Sequence, residues 1–204
     1  MEFKLSELEI DALTEIFNIG VGRAADSLNK MVSKTIELSI PVVEILPNKE
    51  AKIKLNFSDS AKISAVKQKF VGDFNGQALL MFGQESGLNL VRMLLGRDIP
   101  IEVLSDLEED SLVEIGNVIL NACFGTVINF LKSKIEIEMP EFIQGSIDDI
   151  FTQVGEHEWS LYIRVKFSLP NENIEGHISF LMDIKSLVTF QKSVSQLVHN
   201  LTNT

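Results

Sequence analysis

Asp11, Glu15, Asn18 and Pro41 recur as Asp110, Glu114, Asn117 and Pro140, each 99 residues further along a chain of 204. A fixed internal period is the mark of a duplicated architecture, and it constrains the fold before any single residue does. The flanking stretches follow the same order. "ELSIP" (Glu37 to Pro41) is answered by "EIEMP" (Glu136 to Pro140), and "NGQALLMF" (Asn75 to Phe82) by "EGHISFLM" (Glu175 to Met182). Gly76 and Gly176 stand one residue out of that register, as a one-residue loop insertion would leave them.

Each half reads as helix, strand, strand, strand, helix. In the first half the apolar period predicts a long helix over residues 6–33, opened by Ser6 with Glu9 three residues on, the pattern of a capping box. Strands follow at Thr35 to Leu46, Ala61 to Gly72 and Gly76 to Gly83, and a short helix over Glu85 to Gly96 is stopped by its glycine. The second half predicts a helix over 106–133, strands at Lys134 to Gly145, His157 to Leu169 and Ile174 to Ile184, and a helix over Ser186 to Leu201. The join is expected near Gly96 to Asp106, where Pro and Asp interrupt the pattern. Neither half can bury its strands alone. The expected fold is therefore α/β (α+β): a single pseudo-twofold domain over 1–204, built from repeats of about 1–100 and 101–204. It would have a mixed sheet with the two long motif-bearing helices lying on it.

An α-helix turns by about 100° per residue, so residues three and four apart share a face. Asp11, Glu15, Asn18 and Gly22 form one row, opposite Leu13, Ile16, Phe17 and Ala24. Asp110, Glu114, Asn117 and Asn121 form the matching row, opposite Leu112, Ile115, Ile119 and Cys123. On one helix such a row is most simply a solvated face. Duplication argues otherwise. A solvated face can drift among Glu, Lys, Gln and Ser, yet Glu and Asn at i and i+3 hold in both copies while "EIFNIGVG" has become "EIGNVILN". A carboxylate pairs with a cation, and an amide offers a donor and an acceptor. Together they are poor nucleophiles, but they can dock on a lysine and orient a water for attack on a phosphoryl group.

The rest of the sequence narrows the class. A net charge of −11 argues against binding a phosphate backbone. Cys123 is the only cysteine, so neither a disulfide nor a cysteine metal cluster is expected, and a reduced cytoplasmic setting fits. No apolar run is expected to reach membrane-spanning length, and "MEFKLSELEI" has no signal-peptide core. His157, His177 and His199 lack metal-ligand spacing and are read as strand or surface residues, so no metal site is expected. Gly20 to Ala25 matches G-x-G-x-x-A. It falls inside a helix rather than at a βα turn, so its small residues are read as a close approach by the other long helix or by a partner, not as a nucleotide site. Cys123 is read as a core thiol, Trp159, Tyr162 and Phe167 as sheet packing, and the last helix, with Phe190, Val194, Leu197 and Leu201, as core or edge cover.

The frame D-x-x-x-E-x-x-N, then 22 residues, then Pro, resembles the signature of the CheC/CheX/FliY phosphatases of bacterial chemotaxis, and both copies match it. The resemblance covers nearly the whole chain. With two intact frames and no flagellar switch domain before the end at Thr204, the chain looks most like stand-alone CheC. The resemblance implies a hydrolase acting on the aspartyl phosphate of a CheY-type response regulator. Glu15 and Glu114 would bind the regulator's lysine, and Asn18 and Asn117 would orient the attacking water. Asp11 and Asp110 would support, and Pro41 and Pro140 would fix the chain where each following strand passes the helix. No cofactor of its own is implied; Mg²⁺ would come with the regulator. CheD, a receptor deamidase, is implied as a second partner, with a contact within Pro140 to Val154 that includes Asp148 or Asp149. The doubled halves favour a monomer, with no nucleic acid and no membrane insertion. A non-catalytic adaptor for CheY or CheD, or a flagellar switch-associated component, stays open as the other reading.

Overall fold

The computed structural model describes residues 4–31, 36–58, 61–95, 101–155, 159–169 and 172–202. The first helix, α1 (Glu7–Met31), begins where the sequence places it. The Ser6 backbone N–H donates to Glu9 Oε2 at 2.8 Å and the Glu9 N–H to Ser6 Oγ at 3.3 Å, a closed capping box. Burial tends to raise the Glu9 carboxyl, but hydrogen bonds from Ser195 and Ser6 outweigh it and hold the group below its ordinary value. The Ser195 bond also ties α1 to the last helix.

After α1 come β1 (Glu37–Pro47), α2 (Asn48–Leu55), β2 (Ile63–Gly72), β3 (Gly76–Gly83) and α3 (Gln84–Leu95). The second half repeats the series as α4 (Ile101–Leu131), β4 (Ile135–Ile137) with β5 (Glu141–Gly145), α5 (Ile147–Gln153), β6 (Trp159–Leu169), β7 (Glu172–Met182) and α6 (Ile184–Thr202). One sheet runs in the order β1-β6-β7-β3-β2-β4, with β5 also on β2. That order is a palindrome of the two halves. β3 and β7 are equivalent strands paired at the centre. The first strand of each half crosses over to the edge built by the other half, β1 onto β6 and β4/β5 onto β2. This exchange is why neither repeat closes a sheet by itself.

The packing of both long helices on one face of a single sheet agrees with the α+β expectation. The mixed sheet does not: every pairing among the described strands is antiparallel. The symmetry accounts for this. A strand that lies beside its own mate across a twofold axis normal to the sheet must run opposite to it, and the hairpins β2–β3 and β6–β7 extend the antiparallel order outward.

Two boundaries also differ. Helix α4 starts at Ile101, so Asp106 lies inside it, because "IEVLSDLEED" after Pro100 contains no breaker. The single strand expected from Lys134 to Gly145 is split around Pro140. β4 pairs with Phe70–Gly72 and β5 with Ile63–Lys67, and the proline, lacking an N–H, falls in the gap. Pro41 lies where the β1–β6 register shifts, between Ser39 and Val42. Helices α2 and α5 were not expected. α2 buries only Ala51 and Leu55, too little for a visible period. The Ser146–Asp149 capping box that opens α5 is a signal the sequence does carry.

Helices α1, α3, α4 and α6 cover one face of the sheet and enclose the larger core, which includes Leu13, Phe17, Phe70, Phe124, Ile163, Phe180 and Phe190. Helices α2 and α5 cover part of the other face over Leu79, Met81, Ile143, Tyr162 and Leu181. Leu107–Leu131 of α4 is long and apolar enough to cross a membrane by length and composition, unlike the sequence expectation, and half of its most apolar 18-residue stretch is buried inside the protein. Its apolar residues Leu112, Ile115, Ile119, Leu120, Phe124 and Val127 are core residues.

Candidate active site: two exposed Glu–Asn pairs

Helices α1 and α4 pack side by side at a glycine. A Cβ on Gly20 would lie 2.8 Å from the Cys123 Cα and 2.9 Å from the Ala122 carbonyl oxygen, so only glycine permits this approach. The small-residue reading of Gly20 to Ala25 therefore holds for Gly20. Gly22 faces open space. The Arg23 guanidinium donates to Thr126 Oγ1 at 3.2 Å and adds a polar tie across the seam. Cys123 is fully buried there, and burial pushes its thiol up to about 12.

With their apolar backs buried against each other and the sheet, the two helices turn their motif rows outward. Asp11, Glu15, Asn18 and Gly22 are exposed, and so are Asp110 and Glu114; Asn117 and Asn121 are half-buried. Leu13, Ile16, Phe17 and Ala24 on one helix, and Leu112, Ile115, Ile119 and Cys123 on the other, are buried as expected. Among the described residues, Asp11, Glu15, Asp110 and Glu114 take no hydrogen bond or salt bridge. Their carboxylates are available to an incoming cation. An open pocket of about 300 Å³ adjoins the second site, lined by Met31, Leu95, Asp110, Ser111 and Glu114. It offers an apolar foothold beside the Glu114 carboxylate.

The asparagines, by contrast, are held. Asn18 Oδ1 accepts the Ile40 backbone N–H at 3.3 Å, so the residue just before Pro41 docks directly on the motif amide. In the first site this contact gives the 22-residue spacing between Asn and Pro a physical role. In the second site Asn117 Oδ1 accepts from Asn121 Nδ2 at 2.5 Å. Asn121 Oδ1 accepts from Gln68 Nε2 at 3.3 Å, and the same nitrogen donates to the Glu138 carbonyl at 3.0 Å. Met139, the counterpart of Ile40, is 85% exposed. Sequence reading placed Asn121 in the row without a role and missed Gln68 altogether, because β2 reaches the site only through the tertiary fold.

The other candidates lie elsewhere. Asp148 forms an ion pair with Lys52 at 2.6 Å, and Asp149 accepts from the Ser146 N–H and hydroxyl at the start of α5, on the sheet face opposite the motif helices. Those Ser146 hydrogen bonds hold the Asp149 carboxyl below its ordinary value. A charge reversal at Asp149 would therefore remove a helix cap as well as any surface contact. Among the described residues no group of three or more His, Cys, Asp or Glu side chains is placed to hold a metal ion. His177 is buried and bonded to the Tyr162 hydroxyl at 3.0 Å, His199 is exposed on α6, and His157 lies outside the described residues. Tyr162 is buried and Trp159 packs on the larger core, while the Phe167 side chain lies outside what is described. In α6, Phe190 and Val194 are buried, Leu197 packs on the core and Leu201 is exposed.

Residues 64–164 match the family described as chemotaxis phosphatase CheX, and residues 8–45 match the CheC-like family. The CheY-P phosphatase CheC of Bacillus subtilis is 21% identical over 192 residues, covering 89% of this chain and 91% of that protein. The crystal structure of Thermotoga maritima FliY superposes with a TM-score of 0.74 at 17% identity, over 96% of this chain and all of that one. A chain of the CheX–CheY–BeF3–Mg²⁺ complex of Borrelia burgdorferi superposes with a TM-score of 0.51 at 20% identity, over 83% of this chain and 96% of that one.

Proposed function

We propose that this chain, whose residues match the chemotaxis phosphatase CheX and CheC-like families, hydrolyses the aspartyl phosphate of a CheY-type response regulator, using Glu15 with Asn18 and Glu114 with Asn117. The observation that carries the reading is the contrast within each pair: a free, exposed carboxylate one helical turn from an amide whose oxygen is already anchored. A free carboxylate is what a docking lysine needs. An anchored amide is what positioning a water needs, since its orientation is set before the substrate arrives.

In this mechanism the motif helix lies over the regulator's phosphorylation pocket. Glu15 or Glu114 pairs with the regulator's lysine. Asn18 or Asn117 keeps its Nδ2 and the second lone pair of Oδ1 for the attacking water. The water oxygen bonds to phosphorus in line with the acyl phosphate, and the bond from phosphorus to the regulator's carboxylate oxygen breaks. Inorganic phosphate leaves as H2PO4⁻ with the oxygen and both protons of the water, and the regulator's carboxylate is restored. Mg²⁺ belongs to the regulator and neutralises the phosphoryl oxygens there. Asp11 and Asp110 support the pairs by adding negative potential along the same rows, which favours approach of the regulator's lysine. Two sites within one chain, in a monomer in the cytoplasm, complete the proposal.

The test is the decay of phosphorylated regulator with substoichiometric protein. Wild type should give multiple turnovers, each of Asn18→Ala and Asn117→Ala should retain part of the activity, and the double variant should lose it while remaining folded. Full activity in the double variant would overturn the mechanism. Unchanged decay with wild type, despite measurable binding, would replace the enzyme by an adaptor.

A further inference from the structure

Asn18 and Asn117 are anchored by different devices. The Ile40 N–H can only donate, so it selects the oxygen of Asn18 and leaves the nitrogen outward. The residue of α1 that corresponds to Asn121 is Gly22, which has no side chain to help. In the second site the order comes from the opposite kind of terminus. The Glu138 carbonyl can only accept, so Gln68 must turn its nitrogen there. That nitrogen also reaches Asn121 Oδ1, which directs Asn121 Nδ2 onto Asn117 Oδ1. A flip of any amide in this relay would set donor against donor or acceptor against acceptor. Asn117 is thus left in the same sense as Asn18, nitrogen outward, by a wholly different route. Gln68 is only 4% exposed, a buried amide whose described bonds all serve this relay.

We infer that Asn121, backed by Gln68, is the positioning residue of the second site, setting the amide orientation of Asn117. The inference rests on the phosphatase reading above. It makes the two sites unequal in kind: the first is oriented by backbone, the second by side chains that substitution can retune.

The experiment uses the full chain in an Asn18→Ala background, so that only the second site turns over, with phosphorylated regulator varied to separate kcat from KM. Asn121→Asp can still accept from Gln68 but cannot donate to Asn117 Oδ1, so it turns the Asn117 amide around. Asn121→Leu removes the support without adding charge. Both should lower kcat by about ten- to hundredfold, the range usual for outer partners of a site, with KM little changed. In the Asn18→Ala/Asn117→Ala background neither should add anything, since nothing is left to position. In the free protein the side-chain NH₂ resonances of Asn117 should shift in Asn121→Asp, and thermal unfolding confirms that each variant is folded. Unchanged kcat for Asn121→Asp and Asn121→Leu, where Asn117→Ala abolishes turnover, would overturn the inference and leave the phosphatase reading standing. A rise in KM alone would recast Asn121 as a docking contact and overturn it too. An Asn18→Ala protein without turnover would also overturn it, because the second site would then do no work. Retained turnover in Asn18→Ala/Asn117→Ala would instead sink the phosphatase mechanism itself.

Discussion

Placing the same methyl group at Gly20 and at Gly22, two residues apart on α1, should move stability in opposite directions. At Gly20 the new Cβ would sit 2.8 Å from the Cys123 Cα and 2.9 Å from the Ala122 oxygen, where ordinary contacts lie at 3.4–4 Å. Both neighbours are backbone atoms of α4, so no rotamer can swing aside. The helices must part, and overpacking of this kind costs about 1–3 kcal/mol. Alanine returns about 1 kcal/mol of helix propensity over glycine, which leaves a net loss of about 0–2 kcal/mol. At Gly22 nothing lies within 4 Å, so only the propensity term acts, and Gly22→Ala should gain about 0.5–1 kcal/mol. The two variants should therefore differ by about 1–3 kcal/mol. Urea unfolding reads this as a shift in midpoint at unchanged slope. Equal midpoints, or a Gly20→Ala protein as stabilised as Gly22→Ala, would refute the close seam between α1 and α4.

Two further outcomes follow from burial. Burial takes the His177 imidazole from 6.5 down to about 4, with Glu175 opposing and Arg164 assisting. The unfolded chain then binds the extra proton in that window, so stability falls as pH drops from 6.5 to about 4, by about 3 kcal/mol at the acid end. Denaturant titrations of wild type and His177→Gln should diverge across that range, and a difference flat in pH refutes the assignment. Cys123, fully buried with its thiol pushed up to about 12, should resist aromatic disulfide reagents in the native protein at mildly alkaline pH and react fully in denaturant. Rapid native modification would show that the α1–α4 seam opens.

What the sequence determined by itself was local or periodic. The offset between the two D-x-x-x-E-x-x-N frames announced the duplication. The helical period put Glu15 and Asn18 on one side of α1 and Leu13 and Phe17 on the other, because every residue of a helix is placed by its near neighbours alone. The Ser6–Glu9 box marked the start of α1 for the same reason. The tertiary structure decided what depends on partners distant in the chain. Strand exchange between halves, and with it the wholly antiparallel sheet, follows from a symmetry axis that no local pattern encodes. So does the orientation of the motif amides. Asn18 and Asn117 look alike in the sequence, but one is met by the backbone of a neighbouring strand and the other by Asn121 and, behind it, Gln68, 53 residues away from Asn121 in the chain. An amide's direction is set by whatever donor or acceptor the folded chain brings to it, and only the fold says which one arrives.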